Sequence, residues 1–363
     1  MRPIVVLALV VSTACYAPKL KPGSPCDDDH PCPAPLVCTQ QGTCETTESE
    51  VDAGTTVDAP PVPGCVPTGF DICGDGIDQD CSGADAVCVT NDTPAGAIDI
   101  TAGGTFTADL LRAHDDLASK GCGNDGGNDV FYQITLASPQ VYYFDTFTSG
   151  FDNSLRVFRG TSCAMVNNTM VPTCNDDACG SGESQLVAAL PMGTSCLVVD
   201  KNYNNGQDPT KGVFQLHVVP GGRTGTRLNT GMSTLTDNTC NGTNASEPLK
   251  MNDCIPDQKA KDLAYYFTAC PGQTVLLDAS TCVDATVTDF DTVVYVRPAA
   301  AGAKDLTCVD DSGTCMARPN RADGQPDGSI LTNVPAKGPG LFWLVVDGFA
   351  GACGNYQLDT NLR

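Results

Sequence analysis

A chain of 363 residues with 41% apolar content is long enough for two or three domains with cores of their own. Its 43 acidic against 20 basic residues, a formal net charge of −23, exclude nucleic-acid binding, which needs Lys and Arg against phosphate, and make cations the natural small partners. Twenty-one cysteines would be a redox liability in the cytoplasm and are expected in an oxidising compartment.

Residues 1–14 read as an export signal: Arg2 as a thin positive region, an apolar stretch from Ile4 to Val11, and small residues Ser12, Thr13 and Ala14 before Cys15. The apolar run is far short of the roughly 20 residues a spanning helix needs. Two cleavages fit. Ser12-x-Ala14 suits an ordinary signal peptidase, whereas Thr13-Ala14-Cys15 resembles the lipobox of bacterial lipoproteins, with Ser12 departing from its usual Leu or Val. Cysteine parity favours the second, because a lipidated Cys15 leaves an even number of cysteines to pair.

A tether, 15–25, leads to Cys26, Cys32, Cys38 and Cys44, spaced evenly over 26–44 with prolines between them. Even spacing without paired Cys-x-x-Cys clusters is poor zinc geometry despite His30, so a two-bridge knot is expected. The segment 45–63, ETTESEVDAGTTVDAPPVP, lacks aromatic residues and reads as a disordered linker. Residues 64–90 carry Cys65, Cys73, Cys81 and Cys88 around an aspartate-rich run.

From residue 91 short apolar or alternating runs separated by Gly, Asn, Asp and Pro predict an all-β fold. The expected strands are 129–136, 140–147, 154–158, 185–190, 195–200 and 213–219, then 263–268, 273–278, 292–297, 329–334, 341–347 and 355–360. The second six repeat the first in order. Phe151-Asp152 matches Phe290-Asp291, Cys174-Asn175-Asp176-Asp177 matches Cys308-Val309-Asp310-Asp311, and Leu197 to Asp200 matches Leu344 to Asp347. On these motifs the chain resembles the bacterial pre-peptidase C-terminal domain family. The resemblance implies two jelly-roll-like β-sandwich domains, 91–220 and 221–363, behind small disulfide-rich N-terminal modules. Asn91-Asp92-Thr93-Pro94 resembles that family's entry segment, which the second repeat lacks, so any entry-segment calcium site is confined to the first repeat.

Within the aspartate-rich run, Asp75, Asp78, Asp80, Ser82 and Asp85 place oxygen side chains every two or three residues around Gly76 and Gly83, the way a short loop wraps a hard cation. The run resembles the Asp-Gly-x-Asp-Asn-Asp-Cys-Asp-Gly metal-binding motif of surface proteins. An EF-hand is excluded, because its twelfth position would be Val89. Calcium is therefore the expected cofactor, weakly held. Matching positions in the repeats predict bridges Cys174–Cys179 and Cys308–Cys315. They leave an odd number of cysteines in each repeat, so either a bridge joins the repeats or the boundary is misplaced.

Nucleophilic chemistry has no sequence support: the histidines are His30, His114 and His217, and neither a Gly-x-Ser-x-Gly elbow nor a His-Glu-x-x-His helix occurs. Gly121 to Gly127 lacks the lysine of a phosphate loop. The aromatic runs at Phe131, Tyr142, Tyr265 and Phe342 are expected in sandwich cores rather than on a sugar-stacking face. The expected function is non-catalytic binding or display at a cell surface or outer membrane, with membrane contact only through lipid at Cys15 and an envelope or matrix polysaccharide or protein as partner. The alternatives are an accessory partner of a secreted hydrolase and a purely structural envelope protein.

Overall fold

The computed structural model describes residues 36–38, 44–46, 65–118, 122, 126–202, 210–249, 254, 259–282, 287–313, 315 and 328–363. The export signal, Cys15, most of the four-cysteine knot, His30 and residues 47–63 of the expected linker lie outside these residues, while Glu45 and Thr46, expected in the linker, belong to a strand. Contacts divide the chain into a small unit, Met1–Pro67 with Cys81–Gly83, and a large one, Thr68–Asp80 with Ala84–Arg363. In the small unit, β1 (Leu36–Cys38) pairs antiparallel with β2 (Cys44–Thr46), and Cys65 is bonded to Cys81.

The large unit is all β, with only single turns of 3₁₀ helix among the described residues. Its first half runs β3 (Ile98–Asp99), β4 (Gly104–Asp109), β5 (Asp129–Leu136), β6 (Gln140–Asp145), β7 (Asn153–Phe158), β8 (Thr173–Asn175), β9 (Gln185–Leu190), β10 (Gly193–Lys201) and β11 (Val213–Pro220). The second half runs β12 (Thr226–Arg227), β13 (Gly231–Asn238), β14 (Leu263–Ala269), β15 (Thr274–Ser280), β16 (Thr292–Pro298), β17 (Thr307–Val309), β18 (Ile330–Lys337), β19 (Gly340–Gly348) and β20 (Asn355–Leu362). Strands facing a core on one side alternate buried and open residues, as in β11 and β20; central strands such as β10 and β19 are buried on both faces and read as continuous Leu/Val runs.

The halves have one topology. The first forms a five-stranded sheet, β3-β5-β10-β7-β8, against a four-stranded one, β4-β11-β6-β9; the second forms β12-β14-β19-β16-β17 against β13-β20-β15-β18. Adding nine to each strand of the first half gives the second. Even the single parallel pairing recurs, β3 with β5 and β12 with β14, every other ladder being antiparallel. Each half closes its own core, around Tyr132, Phe144, Leu197 and Phe214 in the first and Phe267, Leu277, Leu344 and Tyr356 in the second.

A further apolar cluster joins the halves. Val141, Tyr143, Val187 and Val219 on the outer face of the first four-stranded sheet pack on Ala264, Val293, Tyr295, Leu341, Trp343 and Val345 on the outer face of the second five-stranded sheet. The result is four stacked sheets. Gln185 crosses the joint, its amide donating to the Tyr143 hydroxyl and to the Ala269 carbonyl at 3.1 Å each. The aromatic runs are accordingly core: Phe131, Tyr142, Phe267 and Trp343 are buried.

The disulfides correct the expected pairing. Cys174 is bonded to Cys122 and Cys308 to Cys254, equivalent bridges in the two halves, while Cys315 is bonded to Cys282. Cys179 is bonded to Cys270 and ties one sandwich to the other. The small rings fail because Cys174 and Cys308 sit inside β8 and β17, opposite Arg156 of β7 and Tyr295 of β16, whereas Cys179 lies beyond the turn that follows β8. Cys163–Cys196 and Cys240–Cys353 complete the sandwiches. The odd residue count in each repeat is resolved by the bridge between them.

Candidate metal centres

The aspartate-rich loop is pinned by its own carboxylates. Asp85 accepts from the Gly74 and Gly76 amides at 3.2 and 2.8 Å; Asp75 accepts from the Ile77 amide at 2.8 Å and the Gln79 side chain at 2.6 Å. These two aspartates, expected as ligands, hold the turn. The structure instead gathers Asp78 and Asp80 with Asp71, one oxygen of each lying within 4.8 Å of the others. Asp71 lies outside the Asp75–Asp85 run, and it also anchors the loop by accepting from the Gln79 and Ala86 amides at 2.9 and 2.6 Å. Ser82 belongs to the other unit. Three oxygens at that spacing fit calcium, whose ligands sit about 2.3–2.6 Å from the ion. Zinc has no thiolate here, since Cys73 and Cys88 are bonded to each other.

The same arrangement occurs once in each sandwich. Asp152 meets Asp176 and Asp177; Asp291 meets Asp310 and Asp311, again within 4.8 Å. These are the residues that the sequence repeat aligns, from the β6–β7 and β15–β16 connections and the ends of β8 and β17. A buried hydroxyl pair fixes each meeting point. The Ser184 hydroxyl lies 2.6, 3.0 and 2.6 Å from the carbonyl oxygens of Asn153, Asn175 and Asp176, any one of which takes its single proton, and Ser329 faces those of Thr292, Val309 and Asp310 in the same way. The Thr146 hydroxyl accepts from the Ser184 amide and the Thr281 hydroxyl from the Ser329 amide, both at 3.0 Å. Sequence reasoning missed this quartet, although Ser184 and Ser329 open equivalent strands. Burial, reinforced by Asp152 and Asp177, pushes the Asp176 carboxyl up to about 6. The Asn202 amide donates to Asp152 at 2.7 Å and to Asp176; Phe349 takes that place in the second sandwich, so the two clusters differ in their surroundings.

The entry segment forms a second acidic site in the first sandwich. Asp92 accepts from the His114 amide at 2.6 Å and lies 2.8 Å from its Nδ1, and that bond raises the His114 pKa above its usual value. Asp129 is fully buried. One of its oxygens accepts from Asp116 and Leu117 amides at 3.2 and 2.9 Å, and Oδ1 has no hydrogen-bond partner. Burial, with Asp116 and Asp115 nearby, pushes its carboxyl up to about 8. His217 is held by Asp145 at 2.8 Å on the flank of β11.

No family model matches the sequence, and no curated protein matches it. Among solved structures the chain is similar to the pre-peptidase C-terminal domain of a Bacillus anthracis collagenase, with 12% identity and a TM-score of 0.23 over 38% of this chain and 94% of that one. It is also similar to the CUB1-EGF-CUB2 domains of rat MASP-1, with 9% identity and a TM-score of 0.18 over 73% of this chain and 99% of that one. The β-sandwich architecture stands on the strand pairing described above.

Proposed function

We propose that this chain is an exported cell-surface protein, lipid-anchored at Cys15, whose cysteine-rich stalk presents two fused sandwiches to an envelope or extracellular-matrix component without catalysing a reaction. The observation that carries the reading is the joint between the sandwiches, where a shared apolar face and the Cys179–Cys270 bridge make one body from two modules. A single body of that kind suits display. Eight disulfides among the described residues match an oxidising, extracellular setting, and no helix among them is long and apolar enough to cross a membrane.

Calcium belongs to this reading as a stiffener. Asp71, Asp78 and Asp80 would hold it in the stalk, where it would neutralise crowded carboxylates and lock the loop between Cys73 and Cys88. The test is a glycan and matrix-protein array probed with the mature protein, with and without calcium, beside intact-mass analysis of the native N-terminus. Saturable binding to one component and a lipidated Cys15 support the reading. Turnover that survives stringent purification and disappears on a single substitution refutes it.

A further inference from the structure

At the joint between the sandwiches lies a cavity of about 310 Å³ whose lining includes two arginines and no carboxylate. In a chain of net charge −23 that lining is an exception. One side is the connecting segment Gly221 to Arg223, fixed to β6 by the Gly221 amide donating to the Val141 carbonyl and the Val141 amide donating to the Arg223 carbonyl, both at 2.8 Å. Another is the turn Pro298 to Ala303 after β16, and the floor includes Tyr295, Trp343 and Val345 of the second five-stranded sheet. The connecting segment crosses Trp343 closely enough to require glycine: a Cβ on Gly221 would lie 2.8 Å from the indole, and one on Gly225 would lie 2.6 Å from it.

The polar groups of this cavity are donors in excess of their acceptors. Arg223, with its side chain 9% exposed, is ion-paired through Nη2 with Asp262 and donates through Nη1 to Ser246 at 2.5 Å. Its Nε is buried without a hydrogen-bond partner. Trp343 is 3% exposed, and its indole Nε1 is likewise buried without one. Arg297 donates through Nε to Asp305 at 2.6 Å and through Nη2 to the Glu247 carbonyl at 2.7 Å, with its guanidinium over the Tyr295 ring. The Tyr295 hydroxyl is taken up by Ser246. Asp262 and Asp305 hold the guanidinium groups in place, but neither lines the cavity. Buried donors are costly to leave unpaired, and two of them here belong to residues lining one cavity. Arginine forks and an indole N–H together recognise acceptor-only oxygens.

We propose that this cavity binds a monosaccharide-sized organic molecule through an oxyanion, carboxylate or phosphate, recognised by Arg223, Arg297 and Trp343. The volume sits at the small end of ligand pockets. The inference rests on the binding role proposed above and gives it a ligand chemistry.

The test is calorimetric titration of the mature protein with glucuronate, glucose 6-phosphate and uncharged glucose, repeated on Trp343→Phe, which removes one donor and keeps the ring, and on Ala300→Phe, which fills the cavity from its exposed rim. At least one anionic sugar should bind, with glucose at least about tenfold weaker, and the tighter of the two identifies the anion. Trp343→Phe should weaken binding about tenfold, the expected loss for one hydrogen bond to a charged group. Ala300→Phe should abolish it with the melting temperature unchanged. Equal binding of glucose, no binding of either anion by folded protein, or binding untouched by Ala300→Phe overturns the proposal. A matrix component captured on the array without sugar-anion binding here overturns this pocket alone and leaves the display function standing.

Discussion

Replacing both partners of the bridge between the sandwiches, Cys179→Ser with Cys270→Ser, tests whether four stacked sheets melt as one body. The bridge closes a loop of 91 residues. Cys163–Cys196 spans the first cysteine of that loop, but the route through it is no shorter than the direct chain, so the loop length stands. Chain-entropy accounting for such a loop gives about 4.6 kcal/mol at 25 °C. Strain or residual structure in the unfolded chain would lower that value. If the two sandwiches, about 270 residues, unfold together with about 2.1 cal/mol/K of entropy per residue, the melting temperature should fall by up to about 8 °C. Differential scanning calorimetry of the oxidised double variant beside the parent protein reads this directly, since a single transition should move as a whole. If the apolar joint is weak, the two sandwiches melt separately, and a bridge between already independent units adds nothing. Two resolved transitions, neither moved by the substitutions, would refute the one-body account and with it the main support for a display function.

Other substitutions probe smaller pieces. Arg156 and Asp200 form a wholly buried ion pair at 2.9 Å, so Arg156→Met should cost about 3–5 kcal/mol in urea unfolding, and adding Asp200→Leu should recover most of it. Asp78→Ala or Asp80→Ala should remove any calcium-dependent rise in the unfolding temperature of the stalk at millimolar calcium while leaving both sandwiches folded, as measured by calorimetry with and without chelator. Asp99 is held below its usual 3.8 by hydrogen bonds from the Thr101 side chain and backbone. Its contribution to stability is thus present above that value and lost as pH falls through the lowered one, and an NMR titration should place its midpoint below 3.8.

The strands legible in the sequence are the ones that carry the cores. All twelve expected runs are strands, from β5 at Asp129–Leu136 to β20 at Asn355–Leu362, because burial on one or both faces leaves an unmistakable apolar pattern. The strands missed are short or at sheet edges. β8 and β17 have three residues each, and β13, Gly-Met-Ser-Thr-Leu-Thr-Asp-Asn, buries none of its residues fully, so neither length nor apolar period marks it. The candidate ligands followed the same rule in reverse. Sequence spacing pointed to Asp75 and Asp85, but Asp75 caps the amide two residues on and Asp85 folds back onto the Gly74 and Gly76 amides, so both carboxylates are engaged in holding the turn. Asp71 was out of reach of a spacing argument, because it joins Asp78 and Asp80 only through folding of the loop between Cys73 and Cys88. The disulfides failed for a related reason: Cys174 and Cys308 lie in edge strands whose bridge partners, Cys122 and Cys254, come from loops more than fifty residues earlier, so proximity in sequence is a poor guide.

Identical topology in the two halves leaves open what sets their order, and the answer lies in the outer faces. The first four-stranded sheet presents Val141, Tyr143, Val187 and Val219 outward, and these are covered by the second sandwich. The second four-stranded sheet turns out Thr234, Asp278, Asp359 and Asn361 instead, with Thr234 donating to Asp359 across the ladder at 2.7 Å. Met232, 88% exposed, stands on that face beside the half-buried Ile330 and Leu276. The outer faces of the five-stranded sheets differ in the same way. In the first, Phe131, Phe158 and Val198 are covered by Leu117, Val166 and Met170 of that sandwich's own loops; in the second, Trp343 and Val345 lie against the neighbouring sandwich, with Trp343 also crossed by the segment from Gly221 to Gly225. Each sandwich therefore has a different pair of sticky and finished faces. Swapping the two would place a largely polar sheet against a loop-covered one, with less apolar area to hold them, which favours the observed stacking order. That directionality also places the donor-lined cavity, because Arg297 and Trp343 project from the one five-stranded face whose edge the joint leaves open.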